Sequence, residues 1–222
     1  MASETLIHDL PLVTIRAVSV SSMDNNVYLL TSKDSGAQVL IDAAAGIRKI
    51  RRMLEESADD ASESTRLTLV VTTHSHWDHV RALRELADET GVRTASGRAD
   101  ASAIEAQTGI RIDVRLDNGD VGMFEGFDLT AIELRGHTPG SVALAYAPAD
   151  GPVHLFTGDS LFPGGLGNTN KDPERFATLY ADVTSRLFDV YGDDTIVHPG
   201  HGKPTTLGAE RPHLAEWLAR GW

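Results

Sequence analysis

The 222-residue chain has no cysteine. Disulfides, thiolate metal sites and a cysteine nucleophile are therefore excluded, and any bound metal has to be held by imidazole and carboxylate. Basic charge is also scarce: 20 Lys and Arg stand against 32 Asp and Glu, a formal net charge of −12. Neutralising phosphates takes clustered cations, so neither nucleic acid nor an anionic membrane is expected as a partner. No segment approaches the ~18 apolar residues of a membrane span. The opening stretch "MASETLIHDLPLVTIRAVSV" has no basic leader, long apolar core or small-residue cleavage site. These absences point to a cytoplasmic protein acting on a small-molecule substrate.

What is present suits a folded core. A hydrophobic content of 41% with 23% charged residues is ordinary for a globular chain of this length. Short apolar or alternating runs at 12–20, 26–32 and 37–43 read as strands separated by turn chemistry. Ile47, Ile50, Met53 and Leu54 fall at helical spacing, and 57–66 is a polar loop before a strand at 67–73. A helix is expected to start within the following polar cluster, with Val80, Leu83, Leu86 and Ala87 on its apolar face. Shorter helices and strands fill 91–134, the clearest being a strand at 127–134. Further strands are read at 141–147 and 153–160. A long helix begins at Asp172, an N-cap, with Pro173 at its first position and Phe176, Leu179, Tyr180, Val183 and Leu187 as its buried stripe. A strand and loop at 195–202 and a closing helix with Leu214, Trp217 and Leu218 complete the chain; Gly221 is its stop. Strands, helix, strands, helix is the order of two packed sheets with helices outside. The expected class is α/β (α+β), a four-layer αββα sandwich in one domain over residues 1–222.

Residues 72–80 read "TTHSHWDHV", placing three of nine histidines and an aspartate within six positions. His74, His76, Asp78 and His79 sit where a strand gives way to a helix, a place where side chains can converge outside a sheet. Imidazole and carboxylate are zinc and iron ligands. Four donors in six residues are too many for one tetrahedral ion, so the spacing suggests two neighbouring metals. Three later stretches repeat one design, a strand ending in a polar residue within a Gly-rich turn: His137 in "LRGHTPGS", Asp159 in "LFTGDSLF" and His201 in "VHPGHGKP". Each alone is more often a turn former or cap; together they complete five histidines and two aspartates.

In these seven residues, in order and spacing over roughly 12–202, the chain resembles the metallo-β-lactamase superfamily, particularly its glyoxalase II-like hydrolase branch. The resemblance implies a metallo-β-lactamase-type sandwich with a binuclear site. His74, His76 and His137 would take one metal, Asp78, His79 and His201 the other, and Asp159 would bridge both. A hydroxide shared by two divalent ions, zinc first and iron or manganese as alternatives, would cleave a small thioester, ester or lactone. Asp78 would orient the nucleophile or carry a proton. Asp42, after "VLI", resembles a carboxylate that holds a ligand imidazole in one tautomer; a turn aspartate is an equal reading.

The match has gaps. The chain lacks the cysteine ligand of two β-lactamase classes, and Asp159 is absent from the cysteine-free lactamases, so antibiotic degradation is not expected. The 21 residues after His201 are expected to form one helix, where glyoxalase II adds a helical C-terminal domain. Asn168 and Lys203 stand where that family contacts glutathione through a basic and an aromatic residue. A mononuclear iron persulfide dioxygenase using His74, His137 and Asp159 is an alternative, although "GNTN" replaces its expected "GRTD". A non-catalytic metal-binding module is another, and a nuclease fits the acidic balance poorly. His8 and His213 are expected to face solvent, His154 to pack or be exposed on its strand, and His198 to support a ligand at best. Trp77 is expected to be a packing wedge. "PGGLGNTNK" lacks the Gly-Lys-Ser/Thr of a phosphate loop.

Overall fold

The computed structural model describes residues 5–221. Seven strands form one sheet in chain order: β1 (Leu6–Asp9), β2 (Val13–Val20), β3 (Asn25–Ser32), β4 (Ala37–Ile41), β5 (Arg66–Thr72), β6 (Arg93–Gly97) and β7 (Val114–Leu116). The first four are antiparallel, and β4 to β7 run parallel. The parallel half needs crossovers, which α1 (Ile47–Glu56), α2 (Leu83–Thr90) and α3 (Arg98–Thr108) supply. The second sheet contains β8 (Val121–Phe124), β9 (Phe127–Glu133), β10 (Val142–Tyr146) and β11 (His154–Gly158). After a small hairpin of β12 (Leu161–Phe162) and β13 (Gly165–Leu166), β14 (Ile196–Pro199) and β15 (Thr205–Thr206) finish it, in the order β15-β14-β11-β10-β9-β8.

Three apolar layers account for the four-layer stack. Side chains alternate across a strand, so neighbours serve different layers. Leu29 and Leu40 pack outward against Ile50, Met53, Leu83, Leu86 and Ile104 of the first three helices. Leu30 and Ile41 point inward and meet Leu129, Leu144 and Phe156 of the second sheet. Ala145 and Leu155 turn to the far side, against Leu179 and Val183 of α4 (Pro173–Val183) and Trp217 of the closing helix (Leu214–Arg220). Strands buried on both faces explain why the sequence shows apolar runs as well as alternation. The expected αββα class is the observed one.

Several local expectations are met and some are moved. Asp172 caps α4 by accepting from the amides of Glu174 and Arg175, with Pro173 at the first helical position. The helix then widens into a π-type turn over Thr184–Phe188 that carries Leu187 into the core. The helix expected within the histidine cluster begins only at Leu83; a 3₁₀ turn, Trp77–His79, stands in its place. The polar loop at 57–66 opens with another such turn, where Asp60 receives two 2.6 Å bonds from the buried Arg16. Among the described residues no helix is long and apolar enough to cross a membrane.

Candidate metal centre

The seven expected ligands gather at one end of the sandwich. His74 and His76 lie just past β5, His74 at a bend and His76 on extended backbone, and the turn at Trp77–His79 folds Asp78 and His79 back toward them. His137 comes from the β9–β10 connection, Asp159 follows β11 by one residue, and His201 follows β14 by two. Their donor atoms form two groups, His74, His76, His137 and Asp159 in one and Asp78, His79 and His201 in the other, each within 4.8 Å.

The spacing is slightly tighter than that of ligands around one ion, and ring orientation carries the distinction. His74 Nε2 lies 3.1 Å from His76 Nδ1, and His79 Nε2 lies 3.1 Å from His201 Nε2. Donors bound to one zinc at about 2.0–2.2 Å stand roughly 3.3–3.6 Å apart. The rings are steeply inclined, at 84° and 75°, with centroids only 4.8 and 5.1 Å apart. Their lone pairs therefore meet off the line joining the nitrogens, as chelating imidazoles do. Asp159 reaches into both groups: Oδ2 is 3.6 Å from His137 Nε2 and 3.3 Å from His201 Nε2, while Oδ1 is 3.4 Å from His79 Nε2. His137 Nε2 and Asp159 Oδ1 are buried without a hydrogen-bond partner. A buried orphan donor or acceptor is costly, and a cation in each donor group would satisfy one of them. The donor set fits a metal.

Electrostatics divides the ligands. Burial pushes His74 well below its ordinary range and His137 down to about 4, keeping both neutral with free lone pairs. Burial also opposes charge on His79, but the carboxylates of Asp42 and Asp159 outweigh it and lift the imidazole to about 10. His201 is raised against its own burial by Asp159. Burial would raise the Asp159 carboxyl, yet His201 and His79 hold it far below the usual carboxylate range. His79 is thus held in its protonated form, and metal uptake at its Nε2 would release that proton.

The supporting residues explain the ligands' orientation. Asp42 adopts φ 59°, a left-handed conformation unfavourable for a residue with a Cβ. In return its carboxylate accepts from the Thr73 amide and hydroxyl at 2.7 Å and meets His79 Nδ1 at 2.8 Å. Of the two readings of Asp42, the structure selects the tautomer-fixing one. His137 Nδ1 faces the Asn168 carbonyl and His201 Nδ1 the Met23 carbonyl, each at 2.8 Å. The "PGGLGNTNK" stretch thus contributes a backbone oxygen. Gly200 has to be glycine: a Cβ there would lie 2.2 Å from Asp159 Oδ1.

Two supporting side chains escaped the sequence reading. Asp100, buried on α3, accepts from the amides of Ser75 and Gly140 at 2.8 Å and from the Thr138 hydroxyl at 2.5 Å, tying the His74–His76 segment to the His137 loop. Asn25 donates to Asp78 Oδ2 at 2.9 Å. Both come from distant parts of the chain, and neither sits in a recognisable motif. A signal existed only for Asn25, in the doubled polar "NN" that opens an otherwise apolar strand.

Among the other histidines, His213 is exposed as expected. His8 is a correction: it is half-buried, its ring 4.6 Å from His154 and 5.4 Å from His198. These three could also be grouped as metal donors. The geometry argues otherwise. His154 Nδ1 and His198 Nε2 are 3.0 Å apart, their rings are coplanar within 5°, and their centroids stand 5.3 Å apart. That is as far as a straight N–H···N line between two imidazoles allows, so the nitrogens face each other in a hydrogen bond and leave no converging position for an ion. His198 thus bonds into the inter-sheet layer and not to a ligand. Trp77 is a second correction: it is 57% exposed, with Arg81 over its ring, because Asp78 and His79 take the inward positions of the turn.

Known proteins resemble the chain over most of its length. The family model of the metallo-beta-lactamase superfamily matches residues 23–203. The hydroxyacylglutathione hydrolase GloC of Haemophilus influenzae is 28% identical over 213 residues, spanning 90% of this chain and 95% of that protein. The mitochondrial persulfide dioxygenase ETHE1 of Homo sapiens is 30% identical over 178 residues, spanning 78% and 62%. The crystal structure of TTHA1623 in a di-iron-bound form superposes with a TM-score of 0.69 at 28% identity, covering 88% of this chain and 96% of that one. The chain belongs to the metallo-beta-lactamase superfamily. Within it, the chain is a hydrolase-type metalloenzyme with a metal-binding His/Asp centre.

Proposed function

We propose that the protein is a dinuclear hydrolase of a small thioester, ester or lactone. The observation that carries this reading is the meeting of two complete donor sets, with Asp159 facing both. His74, His76 and His137 would hold one ion and Asp78, His79 and His201 the other. Two divalent ions there, zinc first and iron or manganese with the same donors, would activate a water and polarise an acyl carbonyl. The chain's own contribution is orientation. Asp42, Asn168 and Met23 hold the outer nitrogens of three imidazoles, so the inner nitrogens stay aimed at the centre before substrate arrives. Asp78 turns Oδ2 toward His79 and His201, which leaves Oδ1 to take the proton of the attacking water and return it to the leaving group. A cavity of about 590 Å³ opens beside His76 and His137 and is lined by Ser75, Thr138, Asn170 and Arg175. It is large enough for a small acyl substrate.

Elemental analysis, followed by an anaerobic assay on thioester and lactone panels, tests the proposal. Two equivalents of metal and hydrolysis without oxygen are expected. A second reading rests on His74, His137 and Asp159 alone, a two-His, one-Asp set suited to a single iron, and on the persulfide dioxygenase relative. One iron per chain with oxygen-dependent consumption of a persulfide would replace the first reading. No turnover on any panel would leave a metal-binding module.

A further inference from the structure

Asn25 is fully buried, opens β3, and lies beside the second donor group. Its Nδ2 stands 2.9 Å from Asp78 Oδ2 and 3.5 Å from both His79 Nε2 and His201 Nε2. The Ser21 hydroxyl donates to Asn25 Oδ1 at 2.6 Å, which fixes the amide with its NH₂ inward. Asp78 Oδ2, which accepts from the Asn25 amide, is the oxygen that approaches His201 Nε2 at 3.3 Å and His79 Nε2 at 3.5 Å. We infer that Asn25 is a positioning residue for the second metal, selecting Oδ2 of Asp78 as the ligand oxygen and preventing the carboxylate from rotating.

The physical argument has two parts. A buried carboxylate on a short turn has two equivalent oxygens and a soft terminal torsion; without a donor on one side, either oxygen could face the imidazoles. The amide bond removes that freedom before the ion arrives and withdraws charge from the coordinating oxygen. The two donor groups also differ here. His74, His76 and His137 are neutral ligands, whereas Asp78 is the only carboxylate confined to the second group, so its orientation weighs most on that ion. The inference rests on the two-metal reading proposed above.

Zinc titration of the chelator-stripped protein tests it. The wild type should take two equivalents, and Asn25→Ala should lose affinity for the second by about 10–100-fold while the first constant stays unchanged. Asn26→Ala is the control for loop tethering: its side chain bonds the carbonyls of Pro199 and Gly202 but touches no ligand. Asn25→Ala has to weaken the second equivalent more than Asn26→Ala does. In the loaded protein, Asn25→Ala should also lower kcat and move the acidic limb of its pH profile, which a purely structural residue would not do. A second-site constant and pH profile like those of Asn26→Ala would overturn the role of Asn25 alone. A wild type that takes a single equivalent would overturn the two-metal reading and this inference with it.

Discussion

The molecule contains two histidine clusters within one fold, and their difference separates a metal centre from a structural contact. At the strand ends, His74 with His76 and His79 with His201 bring nitrogens to 3.1 Å with rings inclined by 84° and 75°. Between the sheets, His154 and His198 bring nitrogens to 3.0 Å with rings coplanar within 5°. Distance alone does not distinguish them; ring orientation does. Carboxylates differ as well. Asp42, Asp78 and Asp159 surround the first cluster, whereas the inner trio lies among Tyr28, Tyr146 and Phe156. An ion needs anionic balance in a buried site, and only the first cluster provides it.

Matched substitutions should show the largest contrast. His76→Ala or Asp159→Ala should lose bound metal and turnover by at least roughly a thousandfold while circular dichroism stays native. His154→Ala should keep both metal and turnover but cost about 2–4 kcal/mol of stability, since it opens a cavity and strands His198. Full activity in either of the first two variants would break the assignment of the centre.

The pH dependence of stability, measured on the chelated protein, should separate His79 by sign from the buried neutral histidines. His74 and His137 of the centre act on the acidic side together with the inner trio. Burial lowers His154 to about 4 and His198 to about 3, and it also lowers His8. Unfolding returns them to the ordinary histidine value near ~6.5. The unfolded chain then binds more protons, and stability is lost as pH falls from about 6.5 toward 3–4. His79, raised to about 10, acts oppositely: its contribution is complete below about 6.5 and is lost as pH rises through 10. Urea midpoints across this range should show a decline on each side, and His154→Ala should flatten the acidic one. An acidic decline unchanged in that variant would mean that the inner trio does not titrate as buried neutral rings.

The smallest effect sharpens the same comparison. His8→Phe keeps an aromatic edge against His154 and should shift stability by no more than about 1 kcal/mol. Metal content should not change. A drop of one equivalent would show that the trio holds an ion after all.

The chain order carried much of this. Alternating and continuous apolar runs disclosed most strands because side-chain direction reverses at each strand residue, and Asp172 with Pro173 marked a helix start by local hydrogen bonding. The side chains that meet were legible because strand-to-loop junctions recur at His74, His137, Asp159 and His201 with chemistry that turns seldom need together. The start of α2 was misplaced: three residues of 3₁₀ turn mimic helical spacing, and only the demand that Asp78 and His79 face inward prevents a helix there.

Composition and local pattern thus determined the layered class, the absence of thiolate chemistry and the seven side chains that could meet as donors, all of which depend on residue type and nearest neighbours. Tertiary structure alone decided that Asp42 and Asn25 orient ligands, that Asp100 joins two loops, that Trp77 faces outward and that His8 joins a buried trio. Those contacts connect residues more than 30 positions apart, or 25 and 38 for Asp100. Their energies depend on ring planes and bond angles, which exist only once the sheets have packed.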